Sequence, residues 1–448
     1  MEYGTLLISK ILDSNDPSAF ARLGVTESDF PTKAEKDAYK FITDYAERNR
    51  NSAPSYATVV TEIPDFYYVP EVSDAYSHLV GKIKDHAIKL ALIDYVPKLN
   101  EKFNAGADGK ALLDDLRKNL ESIEAKTSTR DKVGTDIKAD GKAFLDEYLD
   151  RKEGKSFKLW RSKFTTINEQ IGGYFSGNMY TWYGRSGRGK SVFTMEEIIE
   201  AAFQGANVLV WAMEMSRFEW MARAYSTISA RISETIEKVD GVDYEVGFEN
   251  RSLLTGKLDA DYEAGLRVFI EKLANGEILD GNITLRAADD SDFISRDIRQ
   301  LESDIITTKA DVVLIDPIYL MDYEQNTSRT AGGDVANTSK RIRRLAGTEK
   351  PVIHVVTQAE EVKDDIDDEG NRELRPPKRA EIKKTKAVLE DAANTFGIDS
   401  LDGEGIIEIG KGRNGGEGTQ INVLYLPNYG IVEEMATGEA VAGQFTDF

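Results

Sequence analysis

The chain has 448 residues, more than one hydrophobic core usually supports, so two domains are expected. Its formal charge of −21 argues against a protein that coats nucleic acid over its whole surface, and the absence of cysteine excludes disulfides, thiolate nucleophiles and zinc ribbons. No apolar run approaches the roughly 18 to 20 residues that span a bilayer, and the acidic start MEYGTLLISKILDSND makes a poor export signal, so the expected place is the cytoplasm, with no membrane partner.

Residues 1–127 read as helical. In DAYSHLVGKIKDHAIKLALIDYVPKL, the residues Tyr76, Leu79, Val80, Ile83, Ala87, Leu90 and Tyr95 recur at near-helical spacing. The stretch APSYATVVTEI opens on a helix-start signal. No catalytic constellation appears here, and of the three histidines, His78, His86 and His354, none has a partner at metal-ligand spacing. The segment therefore reads as a packing or assembly domain. KTSTRDKVGTD then breaks the pattern with small polar residues, and a linker is expected over 128–156. Within it, Phe144, Leu145 and Tyr148 share one side of a short helix that packs either on its own domain or on a neighbouring subunit.

From 157 to 448 the texture changes. NMYTWYG, NVLVWAME, NITLRAAD, DVVLIDPIYLM, PVIHVVTQ and EGIIEIGKG are short hydrophobic runs, mostly separated by helical patterns, which predicts an α/β domain with a largely parallel sheet. Ligands of such sheets bind at the carboxyl ends of the strands.

GRSGRGKS, residues 184–191, fits G-x-x-x-x-G-K-[ST] between a predicted strand and a predicted helix. Gly184, Gly187, Arg188 and Gly189 would let backbone N–H groups close around phosphates at a helix N-terminus. Lys190 would reach the β- and γ-phosphates of ATP or another nucleoside triphosphate, and Ser191 would ligate Mg²⁺. Asp316 ends the strand DVVLID and would hold the same Mg²⁺. Glu214 also ends a strand, where it would either polarise an attacking water or serve as an acid at a helix N-terminus; Arg223 lies two turns on and can face the same phosphate. Gln358 ends VVTQ, either sensing a γ-phosphate or capping the next element. Lys411 and Arg413 precede a Gly-rich turn in IGKGRNGGEGTQINVLY, as a solvated hairpin or as cations inserted into a neighbouring subunit's nucleotide. The charged stretch 360–391 is acidic from Asp364 to Glu369 and then basic, with Arg375, Lys378, Arg379, Lys383, Lys384 and Lys386. Basic residues without aromatics suit phosphate-backbone contact, and a merely solvated loop is the alternative.

In order and approximate spacing these segments resemble the DnaB-type hexameric replicative helicases, a RecA-like family of bacterial and phage enzymes. AMEMS with Arg223 nine residues after Glu214, LIDPIYLM, VVTQ and GKGRNGGEGT resemble the family's SLEMS, IDYLQLM, LSQL and KQRNGPxGT. The resemblance implies a RecA-like ATPase domain behind an all-helical N-terminal collar and a linker helix. It implies Glu214 as the catalytic carboxylate, Arg223 and Gln358 as γ-phosphate contacts, and Lys411 and Arg413 acting in trans. DNA contacts would fall at Lys383, Lys384 and Lys386. The activity implied is ATP-dependent 5′–3′ unwinding by a homo-hexamer on single-stranded DNA and replication forks, with primase and a helicase loader as candidate partners. A phage-encoded chain would act in its bacterial host's cytoplasm. Two rivals are a recombinase-like or regulatory RecA-fold ATPase that does not unwind, and a loader that keeps the pocket without catalysis. Residues 232–250 read as an addition to the family pattern.

Overall fold

The computed structural model describes residues 3–127, 137–138, 140–155, 158–233, 235–239, 241–326, 331–360, 372–382, 386–413 and 415–435. The chain forms two compact units, Met1–Leu145 and Asp146–Phe448.

The first unit is helical, with α1 (Tyr3–Asp13), α2 (Lys33–Arg48), α3 (Tyr76–Asn104) and α4 (Gly109–Thr127) as its main elements. A capping box starts α2: Thr32 accepts from the Glu35 N–H, while the Glu35 carboxylate reaches back to the Thr32 N–H. The other oxygen of Glu35 takes the Thr5 N–H at 2.9 Å, so one side chain starts one helix and ties down another. Leu7, Ile11, Phe20, Phe30, Ile42 and Ile83 form the core. Only the first turns of α3 join it. Leu79, Val80 and Ile83 are buried, but Leu90, Ile93 and Val96 are exposed, because apolar residues continue around the whole helix after the core ends. The helix α5 (Gly141–Lys152) spans the division between the units and leaves Phe144, Leu145 and Tyr148 exposed.

The second unit is an α/β domain. The nine strands of its main sheet are β1 (Met179–Gly184), β2 (Asn207–Ala212), β3 (Asn282–Ala287), β4 (Val312–Asp316), β5 (Val352–Gln358), β6 (Asn394–Leu401), β7 (Glu404–Gly412), β8 (Gln420–Leu426) and β9 (Ile431–Glu434). They lie in the order β9-β8-β7-β6-β1-β5-β4-β2-β3. From β6 to β3 every pairing is parallel, and β7, β8 and β9 extend the sheet antiparallel. Both faces are covered, which is why the parallel strands are almost continuously apolar. Alternate residues serve opposite layers. Val208 and Val210 pack with Phe193 and Ile198 of α6 (Lys190–Phe203), whereas Leu209 and Trp211 pack with residues of α8 (Ile298–Thr308) and α9 (Gly333–Glu349). Between these helices in sequence lies α7 (Arg217–Ala230).

All six runs read as strands from sequence are strands. The central strand β6 was not among them: NTFGIDSL is interrupted by Gly397 and by Asp399, a fully buried carboxylate satisfied by the Arg372 guanidinium and the Arg375 N–H. Within the expected addition, Ile236–Val239 and Val242–Glu245 pair antiparallel, apart from the main sheet.

Candidate functional site

Strand β1 ends at Gly184, and α6 begins six residues later at Lys190. The loop between turns on Gly189, the residue before the helix, whose φ of 86° is left-handed. A Cβ there would sit 2.6 Å from the hydroxyl of Tyr425, so both conformation and space demand glycine. Tyr425 is itself fixed by stacking on Phe193, with ring centroids 5.3 Å apart.

The loop borders a cleft of about 350 Å³ lined by Gly187, Arg188, Gly189, Lys190 and Ser191 and by Glu214, Arg223, Tyr319 and Tyr425. Four sequence-distant elements thus meet here. The helix α7 starts with a capping box, Ser216 with Glu219, which fixes the turn after Glu214 and aims Arg223 at the cleft. The Nε of Arg223 is buried with no hydrogen-bond partner among the described residues. The Tyr319 hydroxyl donates to Glu214 Oε2 at 3.3 Å.

Lys190 donates from Nζ to the carbonyl of Arg185 at 2.8 Å. Burial holds its ammonium below the ordinary lysine value, against the opposing pull of Asp316 and Glu214. Asp316 is fully buried, and burial pushes its carboxyl up to about 6; a hydrogen bond from Ser191 works in the opposite sense, and the Glu214 charge adds to the rise. Ser191 and Asp316 therefore offer adjacent oxygen donors, a hydroxyl and a carboxylate, which is the donor chemistry that Mg²⁺ takes beside phosphate oxygens. Among the described residues no group of three or more His, Asp or Glu side chains could hold a metal unaided.

The remaining sequence candidates are placed elsewhere. Gln358 is exposed and pairs in register with Gly184, at the strand end beside the loop and outside the cleft lining. Lys411 and Arg413 are at the other end of the sheet. Arg413 N–H bonds the carbonyl of Ala393, whose own N–H bonds that of Met179, five residues before Gly184 and roughly 16 Å down the strand. The Lys411 ammonium sits on the carbonyls of Glu390 and Ala392, both at 2.7 Å, closing the end of α10 (Lys386–Asp391). Arg413 is exposed. Lys386 is exposed at the start of α10, while Lys383, Lys384 and the acidic run Asp364–Glu369 lie outside the described residues. Of the other cations in that stretch, Arg375 is engaged internally with Glu381. Tyr319 and Tyr425 were not singled out from sequence. Tyr319 carried one signal, its position three residues after Asp316.

The DnaB-like helicase C-terminal domain family matches residues 160–430. No curated protein matches the sequence. Among solved structures, that of a DnaB-like replicative helicase, described together with its interactions with primase, is similar with a TM-score of 0.66 at 14% identity. The likeness covers 97% of this chain and 100% of that one. A second solved structure, of an ATPase domain on its own, is similar with a TM-score of 0.52 at 14% identity, over 68% of this chain and 100% of that one. At this identity the two structures share the fold.

Proposed function

Because the chain belongs to the DnaB-like helicases, by its C-terminal domain over residues 160–430, we propose that it is an ATP- and Mg²⁺-dependent replicative helicase. In this reading it forms a homo-hexameric ring, translocates on single-stranded DNA and separates the duplex 5′ to 3′ at replication forks. The observation that carries the reading is the convergence of Lys190, Ser191, Glu214 and Arg223 on one cleft, with Asp316 buried beside Ser191 and Arg413 at the far end of the same sheet.

The loop N–H groups from Gly184 to Ser191 and the Lys190 ammonium cradle the β- and γ-phosphates. Bound through Ser191 and Asp316, Mg²⁺ supplies charge neutralisation to the phosphate oxygens. Glu214, with one oxygen oriented by Tyr319, holds and polarises the attacking water. Arg223 offers its buried, unpartnered Nε side to the γ-phosphate region, and Gln358 relays occupancy to the following loop. A guanidinium at the opposite sheet end cannot reach its own subunit's cleft, so Arg413 serves a neighbour's nucleotide, with Lys411 fastening the hairpin to α10. Lys383, Lys384 and Lys386 contact the DNA backbone. Residues 1–127 form the collar, 128–156 the linker and 157–448 the motor. Primase and a loader are the expected partners, in the cytoplasm.

The test is strand separation of a forked DNA with a 5′ single-stranded tail in Mg²⁺-ATP. Unwinding by the parent chain and none by Lys190→Ala supports the reading. ATP hydrolysis without unwinding, on filaments in place of rings by electron microscopy, would support the recombinase-like rival instead.

A further inference from the structure

The first variable residue of the phosphate loop, Arg185, does not face the cleft. Its guanidinium is 3% exposed and turned away, donating to the carbonyl of Arg375 at 2.9 Å and to Glu381 Oε2 at 2.9 Å. The second carboxylate oxygen of Glu381 accepts from both terminal nitrogens of Arg375 at 3.1 Å. Glu381 thus bridges the loop to the segment that runs on toward Lys386. A second, backbone path joins the same places: Ala359 N–H bonds the Gly184 carbonyl, and Glu360 N–H bonds the Glu381 carbonyl, at 3.0 and 3.1 Å. Beneath them Tyr183, Ala359, Ile382 and Leu389 form a separate apolar cluster that joins β1, the end of β5, this segment and α10.

Arg185 is also the residue whose carbonyl holds the Lys190 ammonium. A phosphate entering the loop competes for that ammonium, and so acts on the backbone of the residue whose side chain grips Glu381. The bridge carries charge at both ends and is largely withdrawn from water, where an ion pair is weakly screened and strict in geometry. Glu381 ends the short turn Arg379–Glu381, and its N–H bonds the Lys378 carbonyl at 2.9 Å, while the next residue, Ile382, packs with Leu389 of α10, the helix that starts at the exposed Lys386.

We propose that the Arg185–Glu381–Arg375 bridge positions Lys378, Arg379 and Lys386 according to whether the phosphate loop holds nucleotide, so that nucleotide and single-stranded DNA affinities are coupled within one subunit. Glu381 is a positioning residue in this scheme and touches neither ligand. The inference rests on the helicase reading, and one experiment separates their failures.

Fluorescence anisotropy gives the Kd of a labelled oligo-dT with and without Mg²⁺ and a non-hydrolysable ATP analogue. The ratio of the two Kd values is the coupling factor, about 5 to 150 where sites are allosterically linked. For the parent chain a ratio well above 1 is expected. Glu381→Gln should bring it to within about twofold of 1 while the analogue's own Kd, measured without DNA, stays within about threefold; Arg185→Lys, which keeps the charge and loses the two-nitrogen fork, should lower the ratio as well, by less than Glu381→Gln does. A Glu381→Gln protein with the parent's ratio overturns the bridge and leaves the helicase reading standing. Equal loss of analogue affinity and coupling in both variants overturns it too, since the bridge would then only pack the loop. A parent ratio of 1 overturns the bridge, whereas no binding of the oligo-dT with or without the analogue overturns the helicase reading.

Discussion

Asp316 and His354 are both fully buried, and burial moves them in opposite directions. The Asp316 carboxyl is pushed up from its ordinary 3.8 to about 6, so the folded chain holds that proton more tightly than the unfolded chain does. Stability therefore falls as pH rises from about 4 to about 6, and the cost is fully present above that range. Asp316→Asn should raise the thermal stability of the nucleotide-free chain at about pH 8, by at most about 3 kcal/mol, and give no gain near pH 4; melting curves at the two pH values check this. If Asp316 holds Mg²⁺ as proposed, its carboxylate must be ionised to do so, and Mg²⁺ affinity by calorimetry should weaken as pH drops below about 6. His354 is pushed down to about 3 by burial, and its Nδ1 accepts a hydrogen bond from Trp182 Nε1 at 3.1 Å. An unfolded histidine takes its proton near 6.5, so this residue removes stability as pH falls from about 6.5 toward 3. In His354→Gln that stretch of the stability–pH curve should flatten, read from urea midpoints; an unchanged slope would place the acid sensitivity elsewhere.

Among the elements, the start of α3 depends on a charge pair. Lys84 Nζ lies 2.6 Å from Asp29 Oδ2 with both side chains almost completely buried, and it also donates to the Gly24 carbonyl at 2.8 Å. Lys84→Met leaves a buried carboxylate without its cation and should cost about 3 to 5 kcal/mol, whereas adding Asp29→Asn, which removes the charge and keeps an acceptor for the Thr26 N–H, should recover part of it. All four tryptophans lie between Trp160 and Trp220, in the second unit, so the loss should appear in far-UV circular dichroism and not in tryptophan fluorescence. What sequence made legible follows from range. The phosphate loop, the strands that lead into Glu214, Asp316 and Gln358, and the start of α6 are all written within windows of about ten residues, where spacing and glycine placement carry the information. Tyr425 over Gly189, Lys411 on the end of α10 and Arg185 on Glu381 depend on pairings far apart in the chain, 196 residues for the last. No local pattern encodes them. Strand β6 was hidden for a related reason: its buried polar residue Asp399 is balanced by Arg372 and by the Arg375 backbone, which lie outside the strand.

For the whole molecule, the decisive matter is that the cleft and Arg413 occupy opposite ends of one sheet. If Arg413 completes a neighbour's site, Arg413→Ala should lower kcat about 10³- to 10⁵-fold while nucleotide binding is largely kept. Mixing Arg413→Ala with Lys190→Ala subunits should then restore some hydrolysis, at interfaces where an intact cleft meets an intact arginine. Steady-state ATPase of the mixture checks this, and a mixture as inactive as its two parts would return Arg413 to its own subunit. The same separation has an arithmetic consequence. If Arg413 does complete a neighbour's cleft, subunits would join head to tail, and such contacts would complete every site only when the circle closes. A closed assembly of n subunits has n complete sites, and one parted at a single seam has n − 1. Opening to admit an unbroken strand would thus leave one cleft idle at the seam, a built-in mark of where the circle stands open.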